Sequence, residues 1–262
     1  MMKLVILMGR FLLSRFPLLA DAYRFWRDSK PLKRPLEYRS ALGFKFNGPE
    51  SMELGVFEPQ ETIIFEKAVN CFDLVVNIGA NTGYYALKAL AKGVDVCAFE
   101  PNYLNTKILL RNVMGNDFES DFHLIPIALG DFPGILPLYG VSTGASLVNG
   151  WAGQTHVNLV AVNTFDNVAS NIIADKSCFV IMDIEGAELN CLKGSKSLLS
   201  GVKKNVFFIE ISVGEHQPEG IAINPNLRET FSLFFSYGYK CYTADQYLRA
   251  VKMEEVDQIL LS

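Results

Sequence analysis

The stretch Leu74-Val75-Val76-Asn77-Ile78-Gly79-Ala80-Asn81-Thr82-Gly83-Tyr84-Tyr85-Ala86-Leu87 runs from a mostly apolar, β-branched segment through a glycine turn into an amphipathic segment. Its first five residues suit a parallel strand covered on both faces, because such strands read as near-continuous apolar runs. Gly79 and Gly83 let the backbone turn sharply and come close to a ligand. The residues from Tyr84 to Ala91 then supply a helix whose first N–H groups face that ligand. Strand, glycine turn and helix in this order predict an α/β, nucleoside-binding fold. A dinucleotide fingerprint needs the spacing G-x-G-x-x-G, whereas this turn reads Gly79-Ala80-Asn81-Thr82-Gly83, which counts against NAD.

The 262 residues suffice for one large domain with a full core and a small N-terminal addition. Half of them are hydrophobic and a fifth charged, the composition of a folded globular chain and not of a disordered tail. A net charge of −4 gives no general affinity for nucleic acid. The charge is unevenly placed, however: residues 1–45 hold ten Lys/Arg against three acids, a formal +7, so the remainder carries −11. That asymmetry fits a basic docking surface or a solvated helix face. Five widely spaced cysteines (Cys71, Cys97, Cys178, Cys191, Cys241), mostly inside apolar strands, read as buried thiols of a reducing compartment. With no C-x-x-C pair and three scattered histidines, no metal ligand set is expected.

The first twenty residues are rich in Leu, Met and Phe, but Arg10 and Arg15 interrupt them before the roughly 20 apolar residues that span a bilayer. Each arginine at mid-span would cost about 2.5 to 3.5 kcal/mol. No small-residue cleavage site marks a secretory signal. Two readings stand: a helix lying against the main domain, and an interfacial helix whose Trp26 and arginines meet lipid head groups. The expected location is cytoplasmic, with peripheral membrane contact at the inner face under the second reading.

Ser29 to Pro59, with four prolines, reads as an irregular connection, so residues 1–59 form an N-terminal helical and irregular extension and 60–262 the main domain. Glu61 to Asn70 should be helical. Strands are expected at Leu74 to Ile78, Asp95 to Phe99, Phe122 to Ile127, Ser177 to Met182 and Val206 to Ile209, alternating with helical periods. Ile135 to Val162 reads as an inserted hairpin with a mobile loop. At the C-terminus a helix over Pro225 to Tyr237 precedes strands at Tyr239 to Thr243 and Gln258 to Leu261, which would give a reversed, antiparallel edge.

Several segments together resemble the FkbM family of S-adenosylmethionine-dependent methyltransferases, over roughly Phe72 to Ile211. They are Asn77 to Gly83, Phe99-Glu100-Pro101-Asn102, Ile125 to Asp131, Val162 to Asp166, Met182-Asp183-Ile184-Glu185-Gly186-Ala187-Glu188, and Phe208-Ile209-Glu210. The resemblance implies a Rossmann-like class I methyltransferase fold of seven strands, with S-adenosylmethionine across the carboxyl ends of the strands. It also implies O-methylation of a small-molecule or glycan acceptor. A binding module without turnover and, less favoured, an NAD-dependent oxidoreductase are the alternatives.

The expected cofactor-binding set is Asn77, Gly79, Ala80, Asn81, Gly83, Glu100, Asn102, Ala128, Leu129 and Asp183. Glu100, 21 residues after Gly79 at a strand end, suits both ribose hydroxyls. Asn102 faces the adenine or merely caps the next helix. Ala128 and Leu129 would edge the adenine pocket, while Asp131 bonds the base or sits in a plain turn. Asp183, Glu210 and His216 are the catalytic candidates, each placed where a carboxylate or imidazole can orient or deprotonate an acceptor. Glu185 and Glu188 follow Asp183 at spacings that cannot all face one way, and Glu188 belongs in the first turn of a helix. Ser142 to Ser146 either binds a polar substrate or links flexibly. Two positions depart from the family's usual residues. Asn77 stands where an acid is common, implying weaker cofactor binding, and Ile181 stands where lysine is frequent, sharing a strand face with Asp183.

Overall fold

The computed structural model describes residues 17–260 other than 142, 155, 202 and 204. Most of the apolar N-terminal run, and Ser142, therefore lie outside the described residues. The chain opens with helix α1 (Pro17–Lys33), a hairpin of β1 (Tyr38–Arg39) and β2 (Phe44–Lys45), and the short α2 (Glu50–Glu53). Next come α3 (Pro59–Ala68), β3 (Leu74–Ile78), α4 (Tyr84–Leu90), β4 (Asp95–Phe99), α5 (Tyr103–Met114) and β5 (Phe122–Ile125). After β6 (Ala128–Leu129), β7 (Gly134–Tyr139) and β8 (Val157–Asn163) follow α6 (Phe165–Val168), β9 (Cys178–Met182), α7 (Glu188–Lys193), α8 (Lys196–Leu199) and β10 (Val206–Ile209). The chain continues through α9 (Leu227–Ser236), β11 (Cys241–Tyr242), β12 (Ala250–Val251) and α10 (Met253–Leu260).

The main sheet has the order β10-β9-β3-β4-β5, with every neighbouring pair parallel. From β3 the chain steps outward through β4 to β5, then returns to the other side of β3 as β9 and β10. The order reverses between β3 and β9, and such a switch point opens a crevice at the carboxyl ends of the strands. Alternation along each strand divides the core into two layers. Val75, Val96, Ala98 and Phe179 face Phe65 of α3 and Leu87 of α4, while Val76, Cys97, Val180 and Met182 face Leu192, Leu198 and Phe234. Every residue of β3 and β9 is buried, as their continuous apolar runs predict.

Ile135 to Val162 does contain a hairpin: β7 pairs antiparallel with β8, which also pairs parallel with β6. The C-terminal expectation is corrected. The sheet holds five strands among the described residues, not seven, and its edges are parallel. Gln258 and its neighbours belong to a helix, because Met253, Val256 and Leu260 recur at helical spacing and Val256 is buried. Cys241 and Tyr242 pair instead with Ala250 and Val251 in a separate two-stranded ribbon.

The segment from Ser29 is also more regular than its prolines suggest, since α1 continues through Pro31 to Lys33. Its last carbonyls are satisfied from outside, which offsets the proline: Arg111 of α5 donates to the oxygens of Pro31, Leu32 and Arg34 at 2.9, 3.0 and 2.7 Å. Buried Asn47 adds donations to the Pro31 and Pro35 carbonyls. Asn112, fully buried on α5, accepts from the Asn47 N–H at 3.0 Å and donates to the carbonyls of Asn47 and Thr82, both at 2.9 Å. One side chain thus joins the N-terminal hairpin to the glycine turn.

Replacing Asn112 with Ala leaves three buried backbone groups without this partner, each such loss costing about 1–3 kcal/mol. Urea unfolding is expected to show a loss of about 3 kcal/mol or more at unchanged m-value; a change below about 0.5 kcal/mol would show that the stitch contributes nothing.

Candidate active site

The glycine turn is pressed against the neighbouring strand end. Gly79 has φ 82°, and a Cβ there would fall inside the van der Waals shell of the Asp183 carbonyl oxygen. The N–H groups of Gly79 and Ala80 both donate to the Phe99 carbonyl, at 2.9 and 3.0 Å. Asn81, in the left-handed region at φ 52°, turns its N–H onto Glu100 Oε2 at 2.7 Å. The other Glu100 oxygen accepts from the Asn102 N–H at 2.8 Å and from Asn105 Nδ2 at 3.4 Å. Burial nevertheless pushes the Glu100 carboxyl up to about 7, because these donors only partly offset the loss of water.

Three hollows adjoin along this edge, and Gly79 lines all of them. The first is an apolar slot between Pro101, Ile127, Ala128, Leu129 and Ile184. The second, about 200 Å³, is bordered by Glu100, Glu185 and the loop Thr143-Gly144-Ala145. The third, about 360 Å³, is lined by Asn77, Asp183, Glu210, Glu58 and Tyr85. A larger hollow of about 880 Å³ lies beside α1 among Arg27, Lys30, Arg34 and Arg39, and meets the second at Thr143. Its Arg34 and Arg39 are both paired with Glu53.

Asn77 is 3% exposed and its Oδ1 has no hydrogen-bond partner, nor has the buried Oδ1 of Asn81. Two orphaned buried acceptors on residues that line one cavity are costly in a free-standing protein, and a bound donor would relieve them. Other expected site residues are otherwise engaged. Asn102 Oδ1 accepts from the N–H groups of Leu104 and Asn105, and its amide donates to the Val141 carbonyl, so its side chain serves the α5 cap. Gly83 lines none of the three hollows; a Cβ there would strike Leu109 and Leu87, so it permits close helix packing. Asp131 is exposed outside the apolar slot, in the plain-turn position. Ser146 is buried, donating to the Glu185 carbonyl at 2.6 Å, while Thr143 to Ala145 do border the cavity.

Asp183 and Glu210, at the ends of β9 and β10, come together with Glu58: an oxygen from each carboxylate lies within 4.8 Å of the others. Burial raises the Asp183 carboxyl well above the usual range, and Glu210, Glu185 and Glu58 add repulsion. Burial first, then Glu185, also raises Glu210, and burial lifts Glu58 to about 6. His216 stands to one side, with its Nδ1 3.8 Å from Glu185 Oε2, an ion-pair separation too long for a hydrogen bond. Trp151, buried, donates from Nε1 to the same oxygen at 2.8 Å and sets its ring edge-on to His216. Glu188 is the first residue of α7 and accepts from the Gly186 N–H at 2.8 Å, which makes it part of the turn.

Sequence reasoning missed Glu58 and Trp151, and named Glu185 in a motif without giving it a place in the site. Glu58 precedes Pro59 with no motif around it and reaches the site because it caps α3 at φ 41°. Glu185 escapes strand alternation through its own left-handed backbone, φ 57°, a strained value for a non-glycine residue. Met52 and Phe57, also from the extension, wall the second and third hollows.

The Methyltransferase FkbM domain matches residues 77–241. Among solved structures the chain is similar to methyltransferase FkbM from Methylobacillus flagellatus, at 24% identity over 52% of this chain and 32% of that one, TM-score 0.37. It is also similar to TYW2 of P. horikoshii in complex with MeSAdo, at 21% identity over 36% and 35% of the two chains, TM-score 0.28. A SAM-dependent methyltransferase from Agrobacterium tumefaciens aligns at 19% identity over 36% and 32%, TM-score 0.28. The chain thus spans about a third of the length of each of these proteins. No curated protein matches.

Glu58, Glu100 and Glu188 have folded-state values near 6, 7 and 7 against an ordinary 4.5. The folded chain keeps protons that the unfolded chain has released, so their contribution is full below about pH 4.5 and is lost as pH rises through about 7. Urea midpoints of the ligand-free protein are therefore expected to fall between pH 5.5 and 7.5. A midpoint that rises over this interval would contradict the burial of these carboxyls.

Proposed function

The chain belongs to the FkbM methyltransferase family, whose cofactor is S-adenosylmethionine, and from that premise we propose that it methylates a hydroxyl of a sugar, glycan or other secondary metabolite. The observation that carries the site assignment is the unpartnered, buried Oδ1 of Asn77, set in a hollow continuous with Glu100 and with the Ala128-Leu129 slot. These residues fit the cofactor's chemistry: an apolar slot for the adenine, a carboxylate for the ribose hydroxyls, and an acceptor for the methionine ammonium. Because Asn77 offers an oxygen without a charge, it holds the ammonium less tightly than an acid would.

When bound, S-adenosylmethionine supplies a methyl group on a sulfonium, open to in-line displacement. The chain's own work is then alignment and proton removal. Asp183, at the switch point, orients the acceptor beside the sulfonium's place. Glu185, fixed by Trp151, stands 3.8 Å from the exposed imidazole of His216, and that imidazole is the group to which this reading gives the hydroxyl proton. Glu210 shares that wall.

A second reading concerns α1, whose Tyr23, Phe25 and Trp26 are exposed beside Arg27 and Lys30. Aromatic and cationic side chains on one exposed helix suit an anionic lipid surface, and they support peripheral contact at the cytoplasmic face. Among the described residues no helix is long and apolar enough to cross a membrane.

Methyl-labelled cofactor incubated with glycan and metabolite pools is expected to label a hydroxylated product. Asp183→Asn should lower kcat by about 100-fold or more while cofactor affinity changes only a few-fold. Cofactor binding with no labelled product from any pool would point to a binding module and overturn the catalytic reading.

A further inference from the structure

Antiparallel sheets with one solvated face alternate apolar residues inward and polar residues outward, and the hairpin of β7 and β8 breaks that rule. Leu138 and Val162 belong to its inward face and are buried. The outward face carries the register pairs Ile135–Ala161, Pro137–Leu159 and Tyr139–Val157, six residues with no charged side chain and one hydroxyl. Ile135 is 71% and Leu159 74% exposed, with Val157 and Ala161 also open to solvent. Together they leave on the order of 400–500 Å² of contiguous apolar surface, a patch of the size that on a monomer commonly marks an interaction site.

The surroundings narrow the occupant. Residues 112–175 hold six acids and no lysine or arginine, and the acids that flank the hairpin in sequence are Asp131 and Asp166. Such a stretch is repelled by anionic lipid. Addition of a strand at the edge is also disfavoured, because Pro137 of β7 has no N–H and the Tyr139 N–H already donates to the Ser146 carbonyl at 2.8 Å. The face, not the edge, is what remains to be covered. A second copy turned about a two-fold axis brings the same uncharged outline, and two such faces with their rims bury roughly 1,000 Å², the lower bound of a specific interface. We propose that the outer face of the β7–β8 hairpin is the two-fold interface of a homodimer. β7 runs into the loop Thr143 to Ala145 that borders the second hollow, so the contact braces the strand from which that loop departs. The interface does not depend on the methyltransferase reading.

Sedimentation velocity of the full chain over a concentration series is the test. A reversible dimer with Kd on the order of 1–10 µM is expected. Added NaCl should leave it intact, since the face carries no charge. Leu159→Glu and Ile135→Glu should each weaken dimerisation at least tenfold, while circular dichroism and thermal midpoint show the variants folded, both side chains being exposed. Ile63→Glu, which places the same charge at an exposed apolar position on α3, should leave the dimer unchanged. A chain that stays monomeric throughout the series overturns the proposal. So does a dimer that neither hairpin variant weakens, that Ile63→Glu weakens equally, or that salt dissociates, the last pointing to the cations of α1. Flotation of a monomeric chain with phosphatidylcholine vesicles, abolished by Leu159→Glu, would assign the face to lipid instead.

Discussion

The contact of Gly79 with the carbonyl of Asp183 is the constraint from which the site follows. It brings the ends of β3 and β9 together with no side chain between them, at the point where the strand order reverses. Any Cβ at residue 79 would push these ends apart. With them in contact, the turn can present the Asn81 N–H to Glu100 on one side while Asn77 and Asp183 look into the same hollow on the other. Sheet topology supplies the crevice, and one missing side chain gives it its depth.

The extension and the main domain meet in this crevice. Asn47 and Asn112 exchange hydrogen bonds in the buried space behind the glycine turn, and Arg111 closes the end of α1. On the cavity side Met52, Phe57 and Glu58 of the extension line the same hollows as residues of the main domain. A boundary drawn at residue 59 separates segments in sequence, whereas the cavity takes side chains from both.

The parts of this arrangement that were legible in the sequence are those set by local chemistry. Five apolar runs became the five parallel strands, continuously buried in β3 and β9 and only partly buried at the edges β5 and β10, and Glu188 opened α7 as an acid at a helix start. The C-terminal strand was misread because Gln258 to Leu260 is too short to show its helical period without Met253 and Val256. Glu58, and the place of the motif residue Glu185 in the cavity, were missed for another reason. Both reach the cavity through left-handed backbone at φ 41° and 57°, which no alternation or spacing encodes. Asn102 and Gly83 illustrate the converse, motif residues whose capping and packing explain their chemical type without a ligand.

Electrostatically the cavity is one-sided: four acids line its widest part, while Arg34 and Arg39 of the extension are paired with Glu53 and line, with Arg27, the basic hollow beside α1. A cationic ligand end is what such a surface selects. The most direct measurement is a crystal structure with S-adenosylhomocysteine bound. The adenine is predicted in the slot at Ala128 and Leu129, the ribose at Glu100 and the amino group at Asn77. Finding the ligand instead in the basic hollow among Arg27, Arg34 and Arg39, with the Gly79 crevice empty, would contradict the account.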